Sequence, residues 1–222
     1  MRLILRALLV LLPWSLRRRL LTMLYGYELD PTSHIGLAWV FPRHLVMAAH
    51  TSIGHLTVCV HLDRVELREH ATLGRGNWVT GFPSGTDSPH FRGEPGRRSE
   101  LILEEHSAMT NRHLIDATSP VLIGRFTTVA GFQSQILTHS IDLVTCRQAS
   151  APVSIGAYCF VGTNCVILGG SNLPERSVLG AKSLLNKSFD TPLQLYGGVP
   201  ARAVKSLPPD AAYFMRVNGF VE

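Results

Sequence analysis

Aliphatic residues recur at every sixth position over residues 155–184, and this period organises the chain. Five consecutive hexads begin with Ile, Val or Leu and carry Cys or Ser at the fifth position: IGAYCF, VGTNCV, ILGGSN, LPERSV and LGAKSL. An amphipathic helix repeats at about 3.6 residues and a half-buried strand at about 2, so neither element explains the period. The spacing instead predicts triangular coils of three hexads each, in which every hexad forms a short strand and a bend and its aliphatic side chain points inward.

The same period continues upstream with breaks in register. Ile35 and Ile53 are separated by three hexads, which is one full coil, and another hexad begins at Leu67. We expect about six to seven coils. The small fifth residue is expected at the bend, and glycine at the second position is expected to supply backbone angles that other residues resist. Two stretches interrupt the column, 80–100 and 138–152, and are predicted to be loops.

The N-terminal segment carries all of the net positive charge. The chain has 21 Lys and Arg against 16 Asp and Glu, and residues 1–24 contain five arginines and no acidic residue, which leaves the remainder balanced. A balanced domain lacks the basic excess that nucleic-acid binding favours. Residues 15–24 predict a helix with leucines on one face and Arg17–Arg19 mostly off it. Such a helix either lies on an anionic membrane or packs on the domain or a neighbouring subunit.

The chain is therefore divided into an amphipathic helical segment over 1–30, an all-β domain over 31–205 and a tail over 206–222. Cys159 and Cys165 take slots that serine fills in other hexads, which predicts packing roles. Four cysteines without a CxxC pair and the absence of a clear secretion signal favour a reducing, cytoplasmic compartment. Peripheral contact with the inner membrane face remains one of the two interpretations of the N-terminal helix.

Four motifs in this chain resemble those of the hexapeptide-repeat acyltransferases. They are THSID at 138–142, IGAYCFVGTNCVILGG at 155–170, LGAKSLLNK at 179–187 and YGGVPARAVKSL at 196–207. The resemblance covers residues 35–205, and sugar O-acetyltransferases are the most similar members. It implies a left-handed parallel β-helix, a homotrimer with active sites between subunits, and acetyl-CoA as acyl donor.

By this resemblance His139, which follows Thr138, is the catalytic base. An imidazole has a pKa of about 6.5, so it can take the proton of an attacking alcohol at neutral pH. Asp142 has two interpretations. It either orients or stabilises a protonated His139 or caps the loop through local backbone hydrogen bonds.

The resemblance also implies a CoA site along stacked coils. The residues that correspond to it are Phe160, Gly162, Thr163, Gly180, Ala181, Lys187 and Arg202. The four small ones form two pairs separated by one full coil, where a thin pantetheine arm can lie against the coils. The aromatic residue corresponds to one that flanks this arm, and the two basic residues correspond to ones near the nucleotide phosphates.

Large polar residues in or near the small-residue slots are candidates for acceptor binding. They are Asn77, Asn111 and His113. Such side chains can also widen the column and hydrogen-bond within it. No metal site is predicted, because the histidine spacing of the zinc-binding relatives of this fold is absent.

Together these features predict a CoA-dependent acyltransferase that O-acetylates a saccharide or saccharide-like hydroxyl, on a small-molecule or lipid-linked acceptor. Two alternatives stay open. One is N-acetylation of an amino sugar by the same base, and the other is a non-catalytic β-helix scaffold subunit.

Overall fold

Short parallel strands stack into three sheets that form the faces of a triangular prism. The computed structural model describes residues 2–219 and 221, so Met1, Phe220 and Glu222 of the predicted segments 1–30 and 206–222 lie outside the described residues. The sheets have seven, nine and seven strands, and a separate two-stranded hairpin projects from them. The predicted left-handed parallel β-helix is confirmed.

The helices are α1 (Arg2–Leu11), α2 (Trp14–Tyr25) and α3 (Ala212–Met215). The strands are β1 (Glu28–Leu29), β2 (His34–Ile35), β3 (Trp39–Phe41), β4 (His44–Met47), β5 (Ser52–Ile53), β6 (Val58–Val60), β7 (Arg64–Leu67), β8 (Thr72–Leu73), β9 (Trp78–Thr80), β10 (Glu100–Leu103), β11 (Ala108–Met109), β12 (Leu114–Asp116), β13 (Val121–Ile123), β14 (Thr128–Val129), β15 (Gln135–Leu137), β16 (His139–Asp142), β17 (Arg147–Ser150), β18 (Val153–Ile155), β19 (Phe160–Val161), β20 (Val166–Leu168), β21 (Asn172–Leu173), β22 (Val178–Leu179), β23 (Leu184–Leu185), β24 (Gln194–Gly197) and β25 (Arg202–Ser206).

Each coil contributes one strand to each face, in the order first, second, third. The first face is β1-β4-β7-β10-β13-β18-β21, the second is β2-β5-β8-β11-β14-β19-β22-β24-β25, and the third is β3-β6-β9-β12-β15-β20-β23. These make seven complete coils, followed by β24 and its antiparallel partner β25. The predicted coil of three hexads is confirmed, because Ile35 pairs with Ile53 and Val161 pairs with Leu179.

The leading aliphatic residue of each hexad fills the inside of the prism. Ile155, Val161 and Ile167 are fully buried, and they continue one apolar column that runs through all seven coils. A single coil could not enclose these side chains, so the burial that stabilises the fold exists only between stacked coils.

The predicted reason for the hexad glycines is wrong. Left-handed backbone angles fall on the fourth hexad position, where Tyr158, Asn164 and Lys182 have φ of 56°, 57° and 57°. Gly162, at the second position, is needed for space instead. A Cβ there would lie 2.6 Å from the backbone nitrogen of Ala181 in the next coil. Glycine therefore permits the coils to approach closely.

Helix α2 closes the N-terminal end of the column. It matches the helix predicted over 15–24, and of the three arginines predicted to lie mostly off its apolar face, Arg17 alone is on the buried face, beside Leu21. The Arg17 side chain is 1% exposed, and its two terminal nitrogens donate to the carbonyls of Gly36 at 2.7 Å and Ala38 at 2.8 Å. Burial lowers the pKa of Arg17 to about 10, so it stays charged at neutral pH. Of the two interpretations of this helix, membrane contact or packing, α2 is packed on the domain.

Helix α1 lies within the predicted helical segment 1–30, before the helix predicted over 15–24, and leaves much of its apolar surface exposed. Leu9 is buried and the Arg6 guanidinium lies 4.9 Å from the centre of the Phe41 ring. Leu3 and Leu11 are exposed. Across the described residues, no helix has the length and apolar character that a bilayer crossing requires.

Arg17 provides a test of how the column is capped. We expect Arg17→Ala to lower the free energy of unfolding by roughly 2–4 kcal/mol, because two carbonyls lose a charged donor in a buried site. Arg19→Ala, on the exposed side of the same helix, should change it by less than about 0.5 kcal/mol. Urea denaturation followed by circular dichroism measures both, and equal losses in the two variants would contradict this role for Arg17.

Candidate active site

Both interruptions of the column leave the prism at the same edge, where the chain passes from the third face to the first. Residues 81–99 follow β9, and the hairpin β16–β17 follows β15. Strands β9, β12 and β15 are successive neighbours in one sheet, so the two exits are about 10 Å apart. The column thereby places two segments that are distant in sequence side by side.

The predicted loop 138–152 is largely an antiparallel hairpin. His139 pairs with Ser150 at its base, and Asp142 pairs with Arg147 near its tip. Thr138 anchors the base from a buried position, donating its hydroxyl to the Asp116 carbonyl at 2.9 Å. His139 therefore stands at the point where the backbone leaves the prism, with its side chain on the outside.

Three side chains surround the His139 imidazole, which is 36% exposed. Nε2 is hydrogen-bonded to Oε1 of Gln148, on the opposite strand of the hairpin. Nδ1 lies 3.7 Å from Oδ2 of Asp116. The ring of Phe91 meets the imidazole edge-on, with 5.3 Å between the centroids. The Gln148 amide therefore occupies the ring nitrogen that does not face Asp116.

Asp142 takes the capping role of the two considered for it. Its carboxylate accepts hydrogen bonds from the Thr145 hydroxyl at 2.8 Å and from the Val144 amide at 2.9 Å. These bonds, the one from the Thr145 hydroxyl foremost, lower the pKa of Asp142. The carboxylate beside His139 is that of Asp116, which corrects the predicted pairing of His139 with Asp142.

The segment 81–99 is fixed against the hairpin by Glu94. Its carboxylate accepts from the Ser150 amide at 3.0 Å and from the Ser150 hydroxyl at 2.5 Å. The Arg97 guanidinium lies 4.3 Å from the centre of the Phe91 ring and donates to the Thr118 carbonyl at 2.6 Å. Burial is the main cause that lowers the pKa of Arg97. These contacts hold Phe91 in position against His139.

A cavity of about 550 Å³ lies between this segment and the hairpin. Phe91 and Gln148, which both contact His139, form part of its wall. The base and the cavity therefore share two side chains, and a molecule in the cavity that displaces the Gln148 amide would be adjacent to Nε2.

Most residues of the predicted CoA site lie at another edge, between the second and third faces. The pairs at 162–163 and 180–181 stack in successive coils there, and Arg202 is paired with Gly197 one step further along. Gly162 is buried beneath Ala181, and the Thr163 hydroxyl donates to the Phe132 carbonyl at 3.0 Å. The accessible part of this surface, called here the small-residue ledge, consists of Thr163, Gly180, Ala181 and Arg202.

The other two predicted CoA residues lie on either side of this ledge. Phe160 is on the second face, where its ring is 6.0 Å from that of Tyr213 in α3. Lys187 follows β23 at the same edge as His139, with its Nζ 5.0 Å from the centre of the Phe189 ring. One hexad of extended chain, roughly 20 Å, separates the two edges. The predicted set is therefore divided between the two sides of the third face.

Two of the three predicted acceptor residues are inside the prism, which corrects that prediction. Asn77 and His113 are 0% and 2% exposed. The Asn77 side-chain nitrogen donates to the carbonyls of Gly74 and Thr110, and its oxygen accepts from the His113 amide at 2.8 Å. They hydrogen-bond within the column, as the alternative interpretation predicted. Asn111 is half-buried and accepts a hydrogen bond from the Arg75 amide at 2.9 Å. It lies on the same edge of the prism as the ledge, in an earlier coil.

Known proteins are similar to this chain in fold over most of its length, and in sequence over a short part of it. No protein-family model matches the chain. The carnitine operon protein CaiE of Escherichia coli K12 is 37% identical over 65 residues, which is 29% of this chain and 33% of that protein. The chain thus spans a third of the length of the curated relatives it matches.

Two solved structures superpose on most of the chain. One is the N-acyltransferase AntD from Bacillus cereus, in complex with dTDP and 3-hydroxybutyryl-CoA, with a TM-score of 0.56, 12% identity and coverage of 90% of this chain and 92% of that chain. The other is a hexapeptide-repeat acetyltransferase from Vibrio cholerae in complex with acetyl-CoA, with a TM-score of 0.51, 22% identity and coverage of 64% and 70%. This chain has the hexapeptide-repeat acetyltransferase fold.

Within this fold, the surroundings of His139 include residues that the sequence motifs miss. Asp116 and Phe91 come from earlier parts of the chain, and Gln148 comes from the second strand of the hairpin. A usable signal exists only for Asp116, since it pairs with Leu137, the last strand residue before the hairpin. In the described part of the chain, no three His, Cys, Asp or Glu side chains are grouped to hold a metal ion.

Because His113 is buried, we expect the stability of the column to fall in acid. Burial lowers its pKa to about 4, whereas an imidazole in the unfolded chain has a pKa of about 6.5. The unfolded state therefore binds this proton first. The stability that neutral His113 provides is complete above pH 6.5 and is lost progressively as the pH falls toward 4.

We expect His113→Asn, whose side-chain oxygen can replace Nδ1 as the acceptor for the Ser134 amide, to have a shallower loss of stability than the wild type between pH 7 and pH 5. Urea denaturation at each pH measures the slope. His44→Asn, an exposed position on β4, is the control. Parallel slopes for the wild type and His113→Asn would remove His113 as the source.

Proposed function

We propose that this protein is a CoA-dependent acyltransferase that transfers an acetyl group to a saccharide or saccharide-like hydroxyl, with His139 as general base. The observation that supports it most is the setting of His139: Nδ1 lies 3.7 Å from the Asp116 carboxylate, and Nε2 is hydrogen-bonded to Gln148, whose side chain lines a cavity of about 550 Å³. Two proteins of the same fold bind acyl-CoA compounds, and both are acyltransferases.

In the proposed reaction, Nε2 of His139 takes the proton of the acceptor hydroxyl as the oxygen attacks the thioester carbonyl carbon. For this the imidazole carries its proton on Nδ1, toward Asp116, and Gln148 turns away from Nε2. The Asp116 carboxylate stabilises the imidazolium that forms. When the intermediate collapses, the C–S bond breaks, the new C–O bond remains, and the proton passes from Nε2 to the CoA thiolate.

The donor is proposed to be acetyl-CoA, with its pantetheine arm along the small-residue ledge and its phosphates near Arg202 of the same subunit and Lys187 of the neighbouring one. Small side chains at the ledge permit a thin chain to lie close to the backbone. The ledge and His139 are on opposite edges of the third face, so a complete site is most readily built from the ledge of one subunit and the hairpin of another. This division supports a homotrimer. In a closed ring of three copies, the ledge of each subunit would face the hairpin of the next.

N-acylation of an amino sugar is a second candidate. The likeness that favours it is the one to AntD, an N-acyltransferase, which extends over 90% of this chain. The same base would serve an amine, so the two candidates differ in the acceptor and not in the residues around His139. A matched pair of acceptors that differ only in a hydroxyl or an amino group separates them.

Membrane contact of the N-terminal segment is a further part of the proposal. Four apolar side chains of α1 are between 58% and 74% exposed, namely Leu3, Ile4, Leu8 and Leu11. This face supports a cytoplasmic enzyme that is peripheral at the inner membrane face and acts on a lipid-linked saccharide. The positive charge of residues 1–24 supports membrane contact less than the five arginines suggest, because Arg6 and Arg17 contact the domain.

The base is tested by substitution. We expect His139→Ala to fold normally and to lower turnover by roughly 10²–10⁴, the usual contribution of a general base. Release of CoA thiol from acetyl-CoA in the presence of hydroxyl and amine acceptors measures turnover, and circular dichroism checks the fold. His44→Ala, exposed on β4, is the matched control.

Two outcomes of this experiment are decisive. Near-normal turnover in folded His139→Ala would remove His139 from the mechanism. If the wild-type protein releases no thiol with any acceptor and binds no acetyl-CoA, the non-catalytic scaffold replaces the enzyme as the better account.

The donor site is tested by reversing charge. We expect Arg202→Glu and Lys187→Glu to raise the Michaelis constant for acetyl-CoA more than they change turnover, because both place a carboxylate near the phosphates of the donor. Lys205→Glu, also exposed on β25, makes the same change of charge away from the ledge and should have less effect. An unchanged acetyl-CoA dependence in both variants would contradict the assignment.

A further inference from the structure

The charged residues that line the cavity beside His139 are basic. Arg92 comes from the segment 81–99 and Arg147 from the hairpin, and both residues belong to its lining. None of the described residues that line it is acidic. The cavity is therefore a positively charged site directly next to the proposed base.

The nearby carboxylates do not neutralise these arginines. Glu94 is hydrogen-bonded to Ser150, and Asp142, although paired with Arg147 across the hairpin, turns its carboxylate to Thr145. No ion pair joins Arg92 or Arg147 to a carboxylate within residues 2–219 and 221. By contrast, Arg43, Arg64 and Arg68 all have carboxylate partners.

The rest of the lining suits a compact organic molecule. Pro89, Phe91 and Ile141 contribute apolar surface, and Gln148 contributes an amide. A ligand that fills this space would contact Phe91 on one side and reach Nε2 of His139 on replacing the Gln148 amide.

We propose that this cavity is the acceptor site and that the acceptor is an anion, a saccharide bearing a carboxylate or a phosphate that Arg92 and Arg147 bind. This inference rests on the proposed function and names its substrate class. Guanidinium groups match both anions through paired, charge-assisted hydrogen bonds. The Gln148 amide oxygen lies where the hydroxyl of a bound acceptor would lie.

The exchange of Gln148 for the acceptor also controls access to the base. The Gln148 amide contacts Nε2, and an acceptor hydroxyl must donate to the same nitrogen. While Gln148 stays there, His139 cannot act as a base at Nε2, which protects the thioester from attack by water.

Cys146 offers a test that does not depend on catalysis. It lines the cavity, and it is the exposed cysteine, whereas Cys59, Cys159 and Cys165 are buried. The rate of its alkylation by iodoacetamide is measured with D-glucuronate against D-glucose, and with glucose 1-phosphate against methyl glucoside. We expect each anion at millimolar concentration to slow alkylation and each neutral partner to leave it unchanged. The two pairs distinguish a carboxylate site from a phosphate site.

The arginines are then replaced. Arg92→Gln with Arg147→Gln should abolish protection by the anions and raise the Michaelis constant for an anionic acceptor roughly 10–100-fold. Arg98→Gln, exposed in the same segment but outside the cavity, is the control and should keep the protection. Gln148→Ala should increase hydrolysis of acetyl-CoA in the absence of acceptor.

The results separate two kinds of failure. Protection of Cys146 by neither anion, or protection that persists in the double variant, overturns the anionic acceptor site even if the protein releases thiol with other acceptors. Arginine-dependent protection without any thiol release supports the anion site and counts against the acyltransferase function instead.

Discussion

Close approach between successive coils is the constraint on which the rest of this structure depends. The amide of Gly162 donates to Leu179 at 2.8 Å and that of Gly180 donates to Tyr196 at 2.8 Å, so each coil continues the hydrogen-bond ladder of the one before. A side chain at the position of Gly162 would meet the next backbone. Glycine is therefore required at the position of Gly162, and additional residues are accommodated where the chain turns outward at an edge.

The site follows from that restriction. Residues 81–99 and the hairpin β16–β17 are added at one edge, two coils apart, and the regular coils between them set their separation. Thr138 and Asp116 connect the hairpin to the column, and Glu94 connects the two additions to each other. His139 is thus held by rigid backbone at its root and by side chains from two further segments. Its geometry depends on the register of the column more than on the residues beside it in sequence.

The hexad period was sufficient to predict the fold, because a period of six has no other simple explanation and each leading residue has the same environment. The same rule explains two errors at the candidate site. Asn77 and His113 occupy the small-residue slot of their hexads, which points into the prism, so their polarity serves the column. Asp142 follows His139 closely in sequence, but the hairpin turns it to Thr145, and the register brings Asp116 from the coil below.

Other features could not be predicted because they depend on contacts between distant segments. The burial of Arg17 requires free carbonyls at Gly36 and Ala38, which exist only because the first coil has no coil before it. Phe91 reaches His139 through the folding of a glycine- and proline-rich segment without a repeat. Gln148 reaches it through the pairing of the hairpin strands, and no periodic signal in the sequence marks that pairing.

The position of the two additions along the column has a consequence for dynamics. They emerge after the third and fifth of seven coils, away from both ends. In a one-dimensional stack, fraying begins at the terminal repeats and moves inward, and its free-energy cost rises with each coil that opens. The terminal elements, α1 and α2 at one end and β24–β25 at the other, can therefore exchange with solvent while the central coils stay closed. Amide hydrogen exchange should be slowest in the coils that carry His139, although His139 itself is on the surface.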